Sequence, residues 1–200
     1  MARRKKRSVS DNPTGITLAA KAVRDLVLRY TKRRNMMEGE VGLLLFSYLV
    51  AKFGPTRIQK ERAVLTLTQS KNVGRPQQVD FAIGRKQQST GSFQANTVIE
   101  LAVRRTRHKS GADPGVNGDE IRKLVRAEAR HRILLLVDLT ADDVGRTIVQ
   151  KYRDRGYSRG RPRGKPTDSI VVVYVGEHGT ARVKLKRRNL KGKNKPRKGK

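Results

Sequence analysis

Two short segments, Gln78-Val79-Asp80-Phe81-Ala82-Ile83 and Val98-Ile99-Glu100-Leu101-Ala102-Val103, decide the fold of this chain. Both combine β-branched and aromatic residues, which is typical of strands. Because strand side chains alternate between the two faces of a sheet, the apolar residues of each segment share one face, and its acid, Asp80 or Glu100, lies on the other. The predicted apolar face consists of Val79, Phe81, Ile83, Ile99, Leu101 and Val103.

The two acids are predicted to face each other across a hairpin. If the hairpin is symmetric about residue 90, Asp80 pairs with Glu100, and directly paired residues have Cβ atoms about 4.5–5.5 Å apart. Two like charges at that distance repel unless a cation lies between them, and Mg²⁺ (or Mn²⁺) prefers a few carboxylate oxygens plus water and phosphate. The pair therefore predicts a metal site. The alternative is that each acid forms an ion pair with an arginine, for instance Arg75 or Arg104.

The rest of the chain predicts an α/β fold, in which helices cover the faces of a mixed sheet. The helical period and the β-branched runs both recur along the sequence. Helices are predicted at residues 17–30, 38–53, 119–131 and 142–152, and strands at 57–68, 78–83, 97–104, 133–139, 170–175 and 180–185.

The charge of the chain is strongly positive and unevenly distributed. It has 47 Lys and Arg against 17 Asp and Glu, a formal net charge of +30, so a polyanion is the expected partner. We predict a basic N-terminal arm over residues 1–15, one α/β domain over 16–185 with a basic Arg/Gly loop at about 153–167, and a basic tail over 186–200, both ends being disordered. The predicted nucleic-acid contacts are Arg105, Arg107, Arg159, Arg161, Arg163, Lys186, Arg187 and Arg188.

Composition also excludes several classes of protein. Without Cys the chain has no disulfide and no Cys-based zinc site. Its longest apolar run, Val41 to Ala51, is far shorter than the roughly 20 residues of a membrane-spanning helix, and no apolar signal segment follows the basic N-terminus. We therefore expect no membrane partner and a cytoplasmic or nucleoid-associated protein, nuclear if the source is a eukaryote.

The order of these elements resembles the PD-(D/E)XK, or restriction-endonuclease-like, nuclease superfamily over residues 17–140. In that fold a helix bearing a Glu precedes three strands, a helix and a further strand, with an Asp on the second strand and Glu-x-Lys on the third. The resemblance implies that Asp80 and Glu100 are catalytic metal ligands and that Glu40 (or Glu38) is a third, direct or water-bridged ligand. It also implies Mg²⁺- or Mn²⁺-dependent hydrolysis of phosphodiester bonds.

The sequence departs from this superfamily at Ala102, which stands where the motif has its Lys. Arg104 lies two residues further along the same strand face and is one replacement. Lys123 is the other, because in some members the Lys moves to the following helix. An arginine stays protonated, so Arg104 would stabilise phosphate charge but would not act as a base.

We favour a metal-dependent endonuclease that hydrolyses DNA rather than RNA, working alone or in a larger DNA-processing complex, as a monomer or a homodimer. The alternative is a non-catalytic basic protein that binds DNA or RNA, either as a degenerate nuclease fold or as a ribonucleoprotein component. The acid pair Asp80 and Glu100 favours the enzyme, whereas Ala102 favours the alternative.

Overall fold

The computed structural model describes residues 10–31, 36–63, 78–86, 88, 93–105, 117–127, 129–141, 144–155 and 170–185. These residues form four α-helices and six strands, with a 3-10 turn at Pro55–Arg57. The helices are α1 (Pro13–Thr31), α2 (Glu38–Phe53), α3 (Gly118–Arg126) and α4 (Gly145–Arg155). The strands are β1 (Ile58–Ala63), β2 (Gln78–Lys86), β3 (Phe93–Arg104), β4 (His131–Asp138), β5 (Ile170–Gly176) and β6 (Gly179–Lys184).

The six strands form one mixed sheet in sequence order, β1 to β6. β2 is antiparallel to both β1 and β3, β3 to β5 run parallel, and β6 returns antiparallel to β5. Parallel neighbours need a crossover, and α3 and α4 supply the two crossovers of this sheet. The predicted α/β class with a mixed sheet flanked by helices is therefore confirmed.

The helices cover the two faces of the sheet in pairs. On one face, α1 and α2 pack against a core that includes Phe81, Ile99 and Leu135. On the other face, α3 and α4 pack against a second core that includes Ala102 and Leu134. Because both faces are covered, β4 is an almost continuous run of buried apolar residues, as expected for a central parallel strand.

The register between β2 and β3 is the one that the sequence predicts near the two acids. Phe81 lies opposite Ile99, which places Asp80 and Glu100 opposite each other one residue further on. The prediction for Val79 is wrong, since it packs in the core of α3 and α4 rather than with Phe81. The alternation changes at Asp80, where the facing residue of β1, Glu61, has a positive φ of 53°.

Three predicted boundaries also differ from the structure. α1 begins at Pro13, inside the predicted N-terminal arm, because Asn12 caps it by accepting a 2.9 Å hydrogen bond from the Gly15 amide at Oδ1. α3 ends at Arg126, since Ala127 is extended and the chain must enter β4 at His131. Predicted strand residues 64–68, most of the predicted arm (1–9), the Arg/Gly loop beyond residue 155 and the tail 186–200 lie outside the described residues.

No helix within the described ranges is long and apolar enough to cross a membrane.

Candidate active site

The candidate site lies where β3 extends beyond its pairing with β2. The paired residues run from Lys86 with Phe93 to Phe81 with Ile99. Past that point, carboxylates take the place of strand partners. The Leu101 amide donates to Asp80 Oδ2 at 2.7 Å, and the Val103 amide donates to Oε2 of Glu38 in α2 at 3.1 Å. The two acids are thus held along the open edge of β3, next to Glu100.

Glu100 is the most buried acid of this group, with 1% of its surface exposed. Its Oε2 accepts a 2.9 Å hydrogen bond from Nζ of Lys123, which reaches down from α3. Its Oε1 is buried and has no hydrogen-bond partner. Burial, followed by repulsion from Asp80, raises the pKa of Glu100 to about 8, although the hydrogen bond from Lys123 lowers it. The site is therefore short of positive charge.

The neighbouring acids show the same deficit. Burial raises the pKa of Asp80 above its usual range, even though the Leu101 amide and Lys123 lower it. Burial of its carboxylate also raises the pKa of Glu38, against the hydrogen bond from the Val103 amide, and repulsion by Asp80 adds to the rise. The residue Glu38 as a whole remains exposed, so only its carboxylate end is withdrawn from solvent. A further cation at this position would stabilise all three carboxylates.

Of the two acids predicted for α2, the structure brings Glu38 and not Glu40 to the site. Glu40 is exposed, and its Oε2 accepts a 2.7 Å hydrogen bond from the Met37 amide at the start of the helix. This contact is half of a capping box, which stabilises the helix terminus. The assignment of Glu40 as a metal ligand is therefore replaced by Glu38.

Of the two cations predicted to replace the motif Lys, Lys123 is at the site and Arg104 is not. Arg104 donates from Nη1 to Asp138 Oδ2 and to Thr140 Oγ1, both at 2.9 Å. Asp138 lies directly beside Arg104 in the parallel register of β3 and β4 and is fully buried. The assignment of Arg104 as a catalytic cation is corrected on this ground, because its guanidinium is committed to a structural carboxylate.

Asp138 is the centre of a buried network next to the site. Its Oδ2 also accepts a 2.5 Å hydrogen bond from Tyr174 Oη, and its Oδ1 accepts from both the amide and the hydroxyl of Thr140. Its backbone oxygen accepts from Arg24 Nε of α1 at 2.6 Å. Sequence analysis did not single out Asp138. The only sequence signal is a carboxylate at the end of an apolar run, on the same strand face as Leu134 and Leu136.

Glu120 is a second residue that sequence analysis missed. It lies three positions before Lys123 on α3, on the side that faces the sheet. Its Oε2 is buried without a hydrogen-bond partner, and its charge contributes to the raised pKa of both Glu38 and Glu100. The spacing of Glu120 and Lys123 on one helix face was the available signal.

Two carboxylates, rather than three, are placed to bind a metal ion directly. No group of three or more His, Cys, Asp or Glu side chains in the described part of the chain is arranged as a metal site. Mg²⁺ commonly takes one or two carboxylates and completes its shell with water and substrate phosphate. The unpartnered Oε1 of Glu100 beside Asp80 fits such a site, and Glu38 fits a water-bridged position.

The predicted nucleic-acid contacts fall mostly beyond the described residues. Arg105 follows the last residue of β3, is exposed, and lies near enough to Glu38 to lower its pKa. Lys60 of β1 is likewise near Asp80 and lowers the pKa of that acid. Seven predicted contacts lie outside the described ranges, namely Arg107, Arg159, Arg161, Arg163, Lys186, Arg187 and Arg188.

The raised pKa of Glu100 predicts a pH-dependent stability. Folding favours the protonated acid, so the stabilising contribution is fully present below pH 4.5 and is lost as pH rises through about 8. Glu100→Gln mimics the protonated acid, so the difference in free energy of unfolding between the variant and wild type should shift in favour of the variant across this window. Urea titrations in EDTA at several pH values measure it, and a constant difference would show that Glu100 titrates normally.

No family model matches the chain, and neither the curated proteins nor the solved structures include a match to it.

Proposed function

We propose that this protein is a metal-dependent nuclease of the restriction-endonuclease-like type, which hydrolyses phosphodiester bonds in DNA. One observation carries the proposal: Glu100 is buried with an unpartnered oxygen, next to Asp80 and under Lys123. A salt bridge alone would satisfy one oxygen and leave the second buried and unpaired, which costs about 1–3 kcal/mol or more for a charged group. A divalent cation would use that second oxygen.

The roles of the acids follow from their contacts. Asp80 and Glu100 would bind a Mg²⁺ or Mn²⁺ ion directly, and Glu38 would hold a water of its shell. A bound divalent ion polarises a phosphate and lowers the pKa of bound water. The Leu101 and Val103 amides fix the orientation of Asp80 and Glu38, so both carboxylates are in place before substrate arrives.

Lys123 would supply the positive charge that the Ala102 position lacks. Burial lowers the pKa of Lys123, but the hydrogen bond and attraction to Glu100 outweigh it, and the net pKa is raised. Lys123 therefore stays protonated near neutral pH. Its role is to stabilise negative charge on the phosphate rather than to remove a proton.

The test of this function is a cleavage assay with duplex, branched and single-stranded DNA and with RNA, in Mg²⁺, Mn²⁺ or EDTA. We expect metal-dependent cleavage of at least one DNA substrate by wild type, and none by Glu100→Gln. The variant should bind DNA almost as well as wild type, because the basic surface that holds the backbone is unchanged. Absence of metal-dependent cleavage by wild type, or equal cleavage by Glu100→Gln, would contradict the proposal.

The net charge of +30 predicts a steep salt dependence of DNA binding. Each phosphate neutralised on duplex DNA adds about 0.9 to the slope of log affinity against log salt. Deleting residues 186–200 should weaken binding to all sequences and reduce this slope, which fluorescence anisotropy at several salt concentrations measures. A deletion with an unchanged slope would mean that the tail does not contact phosphates.

The second candidate function is non-catalytic binding of DNA or RNA, alone or within a larger complex. Ala102 at the motif position favours it, because the usual strand Lys is missing. The two functions differ in Ala102→Lys: a degenerate nuclease that retains the metal site should gain metal-dependent cleavage, whereas an active enzyme that uses Lys123 should gain little.

A further inference from the structure

The outer side of α2 is an exposed apolar face. Leu43 is 56% exposed, and Ser47 and Ala51 are exposed at the following i+4 and i+8 positions of the same side. The Ser47 hydroxyl donates to the Leu43 carbonyl oxygen at 3.0 Å, so its hydrogen bond is satisfied within the helix. The opposite side, which includes Val41, Leu45 and Leu49, is buried against the sheet. A helix that is apolar on both sides is usually buried on both.

This face also lacks the positive charge found in the rest of the chain. Residues 36–51 contain no Lys or Arg, whereas the chain as a whole carries 47 of them. Two copies of a protein with a net charge of +30 repel each other wherever their basic surfaces meet. The outer side of α2 is a surface at which two copies can meet without opposing cations.

We propose that α2 is the contact between two copies of this chain, packed antiparallel about a two-fold axis at Ser47. In this arrangement Leu43 of each copy lies against Ala51 of the second copy, and the small Ser47 side chains face each other at the crossing point. Large side chains then meet small ones at both ends, so the face is complementary to itself, as a two-fold contact requires. The inference is independent of the proposed nuclease function.

The length of α2 sets the strength of this contact. Its 16 residues span about 24 Å, and one face of such a helix offers about half of the roughly 800 Å² per partner that a stable interface buries. We therefore expect a weak dimer that depends on protein concentration. It should strengthen with salt, because salt screens the repulsion between the two basic copies.

Sedimentation equilibrium of the full chain tests the dimer, at about 0.15 M and about 0.5 M NaCl. We expect a monomer–dimer equilibrium that shifts to dimer at the higher salt concentration. Leu43→Lys should abolish it, because it opposes two charges near the axis. Leu18→Lys is the matched control, since Leu18 of α1 is 58% exposed yet lies on a different helix. A monomer at both salt concentrations, or a dimer that Leu43→Lys leaves unchanged, would overturn the proposal.

Disulfide formation tests the position of the two-fold axis. The chain has no Cys, so Ser47→Cys introduces a single thiol that meets its own copy at the axis. Mild oxidation should cross-link it at least about tenfold faster than Leu18→Cys, because thiols held at an interface react at an effective concentration in the millimolar range. Equal rates for the two variants would overturn the assignment of α2.

Discussion

Lys123→Met is expected to lower the rate of metal-dependent DNA cleavage by a factor on the order of 10²–10³. Lys123 Nζ lies 2.9 Å from Glu100 Oε2 and is the cation that the described structure places at the acid pair. Methionine keeps the length of the side chain and removes its charge, so substrate phosphate would lose an electrostatic partner at the reacting position. Single-turnover kinetics with saturating protein measures the loss without interference from binding.

Arg122→Met is the matched control for this variant. Arg122 is the preceding residue of α3, is exposed, and pairs with Asp119 on the outer side of the helix. Its loss should leave the single-turnover rate nearly unchanged. Similar losses for the two variants would mean that α3 contributes general positive charge and that Lys123 has no specific role.

Asp138→Asn is expected to have the largest effect on stability, a loss of about 3–5 kcal/mol in the free energy of unfolding. Asp138 is fully buried and accepts hydrogen bonds from Arg104 and Tyr174. The amide removes the charge that compensates Arg104, which has 5% of its surface exposed. Urea unfolding measures the loss as a lower midpoint.

The double variant Arg104→Met with Asp138→Asn separates the unpaired charge from the lost packing. Because breaking a buried ion pair mainly costs the stranded charge, removing the second partner should recover about half of the lost stability. A single Asp138→Asn variant as stable as wild type would show that the network contributes little.

The parts of the site that the sequence could predict are those set by local geometry. The positions of Asp80 and Glu100 follow from strand alternation and from the symmetry of one hairpin, and the observed pairing of Phe81 with Ile99 agrees with them. The β-bulge after Ile83 shifts the register only on the far side of that pair, so it does not disturb the acids.

The parts that the sequence could not predict depend on contacts between distant elements. Glu38 and Glu40 are two residues apart on α2 and therefore point in nearly opposite directions, about 200° apart around the helix axis. Only the packing of α2 on the sheet decides which one faces the site. In the same way, Arg104 looked available until the parallel register of β3 and β4 placed Asp138 beside it.

The central claim is that Asp80 and Glu100 together hold a divalent cation. Titration of Mn²⁺ into DNA-free protein, followed by calorimetry near pH 8 for wild type and Glu100→Gln, tests it most directly. The account predicts one binding site in wild type, accompanied by proton release because the pKa of Glu100 is raised to about 8, and loss of that site in the variant. Equal binding by the two proteins, or no binding by wild type, would mean that Lys123 alone balances these acids and would contradict the metal-dependent mechanism.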